Sequence, residues 1–357
     1  MTNKNAVPAR ILGIATAVPP HKLVQTEVAR VTADLFGTSV EDFKRLVPVY
    51  SNAAIETRYS CVPIDWYTRP HGLKERNALF IENAVDLLEQ AADRALVDAG
   101  LERSDIDCVV SVSTSGIATP SLDALIVERM QLKRTVERLP IFGLGCLGGV
   151  IGLVRAGQLA ASRPGSNVLL LVVELCGLTF RHQDHSKSNI IATALFGDGA
   201  GAAIIRAENS STPAQAPALS AWGEHTWPNT LDVMGWKVEE DGLGVLFAQS
   251  IPGIVRKKYR SALDHFLMTN DIPLESIEHF ALHPGGARVV DALEVGLGLA
   301  PDSLIESRKI LKNYGNMSAA TVLFVLKRIL KKPDPSGRIL LSSLGPGFTA
   351  GFLTLDQ

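Results

Sequence analysis

Gly145-Cys146-Leu147-Gly148-Gly149 and Gly315-Asn316-Met317-Ser318-Ala319 decide the fold of this 357-residue chain, because they stand at matching places in two similar halves. Each opens a long apolar segment. The first segment ends at Arg163-Pro164-Gly165 and runs into 167–173; the second ends at 333–337 and runs into 339–342. Upstream, Ile106-Asp107-Cys108-Val109-Val110 echoes Ile277-Glu278-His279-Phe280-Ala281, and Asp123-Ala124-Leu125 echoes Asp291-Ala292-Leu293. The tails match as well: Gly197-Asp198-Gly199 precedes an Ala-rich strand, and Gly345-Pro346-Gly347 precedes 350–355. A duplication of this kind builds one site between two halves. It predicts Cys146 and Asn316 at equivalent helix starts, facing a shared centre. The halves read as 1–206, which carries the cysteine, and 220–357, which carries a histidine and the asparagine. The Ser-, Pro- and Ala-rich stretch 207–219 reads as their connection.

Local pattern fills in the elements. The apolar run 11–18, closed by Pro19-Pro20, is too short for a membrane span and reads as the first strand. Residues 77–99 have helical periodicity and stop at Gly100; 107–113 is a buried strand and 120–131 a helix. A strand over 140–144 must turn sharply at Gly143-Leu144-Gly145 to start the helix after Cys146. That helix is apolar nearly all round, so it is central and buried. The continuous apolar run 167–173 suits a strand covered on both faces. The second half repeats helix, strand, helix, strand. The fold class is layered α/β with central helices between sheets.

Composition narrows the function classes. The chain is long enough for a well-buried core, with 46% apolar and 20% charged residues. Its net charge of −2 gives no reason to expect nucleic acid or an anionic membrane as partner. Four cysteines, Cys61, Cys108, Cys146 and Cys176, show no metal-type spacing and no disulfide pattern, which fits a reducing cytoplasm. His182 and His185 lack a third ligand in view, so no metal is expected.

Three residues carry chemistry. Cys146 sits at a strand-to-helix turn among glycines, where the positive helix end favours a thiolate and substrate can approach closely. Cys108, inside a strand, reads as core. His283 closes the strand 280–282 on the tight turn Pro284-Gly285-Gly286, a usual place for a catalytic group in α/β proteins. Asn316 at a helix start would cap it, yet its equivalence to Cys146 favours a donor role toward an oxyanion. Cys, His and Asn together point to acyl chemistry on sulfur. The same trio in the same order occurs in papain-type peptidases, which keeps a hydrolase in view.

These residues resemble the thiolase superfamily and, within it, the type III polyketide synthases, the chalcone synthase-like enzymes. The resemblance covers nearly the whole chain and rests on Gly145-Cys146, Ala194-Leu195-Phe196-Gly197-Asp198-Gly199, His283-Pro284-Gly285-Gly286, Tyr314-Gly315-Asn316-Met317-Ser318 and Gly345-Pro346-Gly347-Phe348. It implies a duplicated αβαβα fold, a homodimer, and no cofactor beyond CoA thioesters. By the resemblance, Cys146 takes an acyl group from CoA, while His283 and Asn316 hold the malonyl-CoA carbonyl during loss of CO2. Phe196 matches the family's gatekeeper between CoA tunnel and cavity. Thr114, Thr119, Cys176, Thr179 and Val245 match cavity positions, and Gly345-Pro346-Gly347 the loop that shapes the cavity.

Departures bear on specificity. Arg45 matches the basic segment for CoA phosphates, but Asp42 and Val49 replace lysines there, so Lys44 or Arg288 is expected to assist. Thr119 stands where chalcone synthases place a methionine that enters the partner's cavity. Val245 replaces a cavity phenylalanine. The smaller side chains, and a stretch 181–194 similar to bacterial alkylpyrone and alkylresorcinol synthases, imply a fatty acyl starter and a pyrone or resorcinol product. The alternatives are a β-ketoacyl synthase III-like enzyme fed by acyl carrier protein, a Cys-His-Asn hydrolase, and a catalytically silent scaffold.

Overall fold

Apolar β-branched runs and amphipathic segments alternate as the sequence predicts, and the duplication is visible strand by strand. The computed structural model describes residues 7–37, 43–208, 216–332 and 336–357, without the Lys44 side chain. The first half holds β1 (Ala9–Ala17), a small ribbon of β2 (His21–Val24) and β3 (Thr57–Ser60), then β4 (Ile106–Ser113), β5 (Glu137–Phe142), β6 (Asn167–Leu175) and β7 (Asp198–Ala207). The second holds β8 (Ala218–Thr226), a hairpin of β9 (Met234–Glu239) and β10 (Gly242–Phe247), then β11 (Ile277–Leu282), β12 (Arg338–Gly345) and β13 (Thr349–Asp356). Within the first half β4 and β6 run parallel, followed by antiparallel β7 and β1. The second half repeats this with β11, β12, β13 and β8. Among the described strands of this sheet, only β5, beside β4, has no counterpart.

One expectation changes. The two sheets are joined edge to edge into a nine-stranded order, β11-β12-β13-β8-β1-β7-β6-β4-β5. The joint is thin: Arg10 faces Ala218, and the Ile11 N–H donates to the Pro217 carbonyl at 3.0 Å. Two central helices, Gly148–Ser162 and Thr321–Leu330, each touch strands of both halves. They form one core with both sheets, including Val150, Leu153, Val322, Leu326, Leu170 and Leu353. Helix Leu73–Ala99 covers the outer face of the first sheet and stops at Gly100, four residues longer at its start than its apolar period implied. The helix over 120–131 is shorter, Leu122–Arg129, with Ser121 extended ahead of its first turn. Residues 209–215 of the connection, 333–335, and Asp42 lie outside the described residues.

The repeat register also needs correction. Cys146 lies inside the 3₁₀ turn Gly145–Leu147 that opens the first central helix. The matching turn before the second is Ser318–Ala320, so Asn316 stands two residues ahead of it. Counted back from the helix starts, Cys146 corresponds to Ala319 and not to Asn316. The sequence alignment followed the glycines, which do share a role: Gly145 (φ 49°) and Gly315 (φ 69°) both take the left-handed turn that L side chains avoid. At the crossing, a Cβ on Gly149 would collide with the Ala319 carbonyl oxygen and come within 2.6 Å of Val322 Cγ1. We expect Gly149→Ala to part the helices and cost about 1–3 kcal/mol or more. Urea unfolding followed by circular dichroism measures it, and an unchanged midpoint would mean the crossing is not tight.

Candidate functional site

Strand ends and helix starts deliver the three candidate residues to one place. Cys146, His283 and Asn316 line a single cavity of about 420 Å³ together with Tyr259, Ser342 and apolar side chains such as Met234, Phe247 and Leu344. Strand β12 ties two of them together. The Ser342 carbonyl accepts the His283 N–H at 2.9 Å, and the next residue, Ser343, donates its hydroxyl to the Cys146 carbonyl at 2.6 Å. The turn after β12 braces the cysteine loop directly: a Cβ on Gly145 would lie 2.7 Å from Pro346 Cδ. On the other side, the Gly145 N–H donates to the Thr114 hydroxyl at 3.0 Å.

Asn316 is fixed by the segment 194–199. Its N–H donates to the Leu195 carbonyl at 2.8 Å, its carbonyl accepts from Gly197 N–H at 3.0 Å, and Phe196 pairs with it as a β-bridge. Its amide serves both expectations. Oδ1 accepts from the Ser318 N–H at 2.8 Å, a capping bond, and Nδ2 donates to the Gly285 carbonyl at 3.0 Å. One amide hydrogen then remains for the cavity. The His283 ring, 5% exposed, has no protein partner at either nitrogen.

Burial sets the protonation. It pushes the Cys146 thiol up to about 12, against the pull of the Ser318 side chain and with the Glu174 carboxyl adding to the rise. Desolvation of the sulfur therefore works against the helix-end field, which favours the thiolate. Burial likewise pushes the His283 imidazole down to about 3, so the ring is neutral. A lone thiolate and a lone imidazolium are each disfavoured. Formed together by one proton transfer, they attract each other, so sulfur reacts as its proton passes to a base. Glu174 is fully buried and accepts from the Thr114 and Ser115 N–H groups at 3.1 and 3.0 Å; burial raises it to about 7.

The remaining predicted positions separate into three regions. Arg45, Val49 and Arg288 line a wide mouth of about 1210 Å³, which shares Phe247, Gly285 and Val289 with the inner cavity. Phe196, Cys176 and Thr179 line a second, apolar cavity of about 560 Å³ whose walls include Val28, Val31 and Phe180. Phe247 is the aromatic ring common to mouth and inner cavity, while Phe196 stands against Trp236 with ring centroids 6.0 Å apart. Val245 is Trp236's partner in the hairpin. Thr119 is exposed and lines none of these cavities. Gly345 and Gly347 flank Pro346 in the bracing turn.

Sequence reasoning missed several residues. Lys187 lines the mouth beside Arg288. Arg58, 2% exposed, donates to the carbonyls of Thr193, Ala194 and Phe196 at 2.6, 3.0 and 3.0 Å and so caps the helix Lys187–Leu195. Asp198 accepts from the N–H groups of Cys61 and Gly177 at 2.9 and 2.7 Å, so its motif is structural. Nothing in the sequence singles out Arg58, because the carbonyls it meets lie far away along the chain. His185 packs edge-on against Phe36, and no group of described residues is placed to hold a metal ion.

Comparison with known proteins bears on this arrangement. The N-terminal domain of the chalcone and stilbene synthases matches residues 1–209, and their C-terminal domain matches 219–355. The chain is 36% identical over 348 residues to the 1,3,6,8-tetrahydroxynaphthalene synthase of Streptomyces peucetius subsp. caesius, covering 97% of this chain and 92% of that protein. The crystal structure of PKS-I from the brown alga Ectocarpus siliculosus is similar over 100% of both chains, with a TM-score of 0.91 and 26% identity. That of the Streptomyces coelicolor tetrahydroxynaphthalene synthase, a bacterial type III polyketide synthase, has a TM-score of 0.89 at 26% identity, covering 97% of this chain and 99% of that one.

The neutral thiol beside a neutral ring generates a test. Carbamidomethylation of Cys146 by iodoacetamide near neutral pH should slow about tenfold or more in His283→Gln, since a positioned base contributes that much or more. The gap should close as pH climbs toward the thiol's own range. Equal rates at pH 7 would remove His283 as the base for this sulfur.

Proposed function

The chain belongs to the chalcone and stilbene synthase family, so it is a type III polyketide synthase using malonyl-CoA, and we propose that it loads a fatty acyl group from CoA onto Cys146 and extends it to a pyrone or resorcinol-type product. The observation that carries this reading is one buried cavity holding Cys146, His283 and Asn316 and sharing walls with a mouth rimmed by Arg45, Lys187 and Arg288. Cationic side chains at a mouth suit the phosphates of CoA, which stay in solvent while the acyl arm enters.

The chemistry follows from the neutral groups. Cys146 sulfur attacks the thioester carbonyl, its proton passes to His283, and the departing CoA sulfur takes that proton. With the cysteine acylated, the malonyl thioester carbonyl accepts from neutral His283 and from the free Asn316 amide hydrogen. Loss of CO2 leaves an enolate whose oxygen those donors hold. Its carbon then attacks the Cys146 thioester; a carbon–carbon bond forms, the carbon–sulfur bond breaks, and the thiolate is released for reloading.

The apolar cavity behind Phe196 favours the fatty starter. Its aliphatic walls offer an alkyl chain a surface that a flat aromatic group would not need. No cofactor enters this scheme, and we place the reaction in the cytoplasm; no helix among the described residues is long and apolar enough to cross a membrane. A second reading, a malonyl-derived starter, is favoured by the 36% identity to a tetrahydroxynaphthalene synthase. The family also supports a homodimer, as does the edge position of β5, whose last residue Phe142 is 63% exposed. Light scattering should give twice the chain mass; a monomer at micromolar concentration removes that proposal.

Purified protein should extend octanoyl- to myristoyl-CoA with malonyl-CoA faster than a cinnamoyl-type CoA, read by mass spectrometry of products. Cys146→Ala should abolish both the acyl-enzyme and the product. Malonyl-CoA alone yielding the main product would select the second reading, and hydrolysis without extension would reject both.

A further inference from the structure

Two hydroxyl groups in the cavity are used by none of the steps above. Tyr259 and Ser342 are each 2% exposed, both line the cavity with Cys146, and neither side-chain oxygen has a hydrogen-bond partner in the protein. Buried hydroxyls are nearly always bonded, so two unpartnered ones facing one cavity call for a ligand. Their placement is specific. Tyr259 ends a π-turn, Val255–Tyr259, set between helical segments Ile251–Ile254 and Arg260–Thr269. Such an extra-residue turn rotates the side chains that follow and concentrates at functional sites. The Tyr259 ring packs against Phe352 with centroids 5.7 Å apart, which fixes the ring and leaves the hydroxyl directed elsewhere. Burial raises the Tyr259 hydroxyl well above its usual range, and the Ser342 hydroxyl, near enough to pull against that rise yet outside hydrogen-bonding geometry, faces the same space, so the phenol stays a neutral donor. Ser342 sits on the strand that carries both neighbouring anchors, its carbonyl on His283 and the next hydroxyl on Cys146.

We propose that the Tyr259 and Ser342 hydroxyls form a polar subsite that binds a ketone oxygen of the growing β-keto chain. The chemistry of the cavity selects that ligand. None of its thirteen lining residues is lysine or arginine, so a carboxylate or phosphate held there would be a buried, uncompensated charge. The thioester oxygen is assigned to His283 and Asn316. An unextended alkyl starter has no other oxygen, and the malonyl carboxylate leaves as CO2 before the carbon–carbon bond forms, so the oxygen that stays within reach of these donors is the ketone made by condensation. The subsite holds the extended intermediate in one fold, which favours further extension over early release. This rests on the polyketide reading above and deepens it.

The test uses the full chain with octanoyl-CoA and malonyl-CoA. Tyr259→Phe keeps the ring on Phe352, and Ser342→Ala keeps the strand. The measured quantity is the ratio of products containing two or more malonyl-derived units to those containing one, with melting temperature recorded beside it. Losing one neutral hydrogen bond should lower that ratio about two- to tenfold in each single variant, and further in the double. A double variant with the wild-type ratio would overturn the subsite. So would variants whose only changes are slower loading of Cys146, which precedes any ketone oxygen, or a lower melting temperature, with the ratio unchanged. Wild-type protein that makes no malonyl-dependent product would sink the polyketide reading as well, whereas extension insensitive to both hydroxyls would sink the subsite alone.

Discussion

Two central helices approach backbone to backbone where Gly149 meets Ala319, and the rest of the site depends on that approach. Any side chain at 149 would hold the helices apart. With them close, the cysteine loop at one helix start and the asparagine loop at the other open on a common cavity. The strands reinforce the geometry. Ser342 and Ser343 on β12 bond one residue on each side of the cavity, and Pro346 presses on Gly145. The positions of the three polar side chains are therefore set by main-chain bonds and apolar packing, not by contacts among themselves. That is the arrangement preorganisation requires, because donors held by the fold need no reordering when charge develops.

The interior also explains why the reactive groups are neutral at rest. Removing water from sulfur and imidazole disfavours each charge, and no lining cation compensates. Two charges near the site are tied to backbone groups. Arg58 spends its hydrogens on three carbonyls at a helix end, and Asp198 accepts two N–H groups. These bonds hold Phe196 and, through the bridge, Asn316. The motif around Asp198 looks chemical in sequence, yet its work is to fasten the loop that carries a neighbour's chemistry.

What the sequence made legible was period and repetition. Apolar runs marked β4, β6 and both central helices, and the paired glycines marked the two turns, because backbone constraints leave local signatures. The cysteine, histidine and asparagine could be singled out for the same reason, each standing at a glycine turn. The register between Cys146 and Asn316 was misjudged by three residues, since glycine spacing does not report where a helix begins. Protonation at rest was not legible because it depends on burial by residues distant in sequence. Phe247, Arg58 and Tyr259 gave little sign for the same reason. Tyr259 reaches the cavity through a π-turn, an irregularity with no sequence period of its own.

The walls of the cavity differ from its floor in what holds them. Met234 and Phe247 line it from the β9–β10 hairpin, which also carries Trp236 and Val245 and lies outside the nine-stranded sheet. An isolated two-stranded ribbon is marginal in water, so this one needs external contacts. It is fastened near its turn by Arg181, which bonds Asp241 at 2.6 Å and Asp184 at 3.0 Å, and at its middle by Trp236 against Phe196. Side chains on such a ribbon can change size without disturbing the central helices, whereas the residues that perform acyl transfer sit on the core itself. The reaction type is therefore bound to the fold, while cavity shape is bound to a few replaceable contacts. This is the physical reason that a shared motif set identifies the chemistry of the chain more firmly than its substrate.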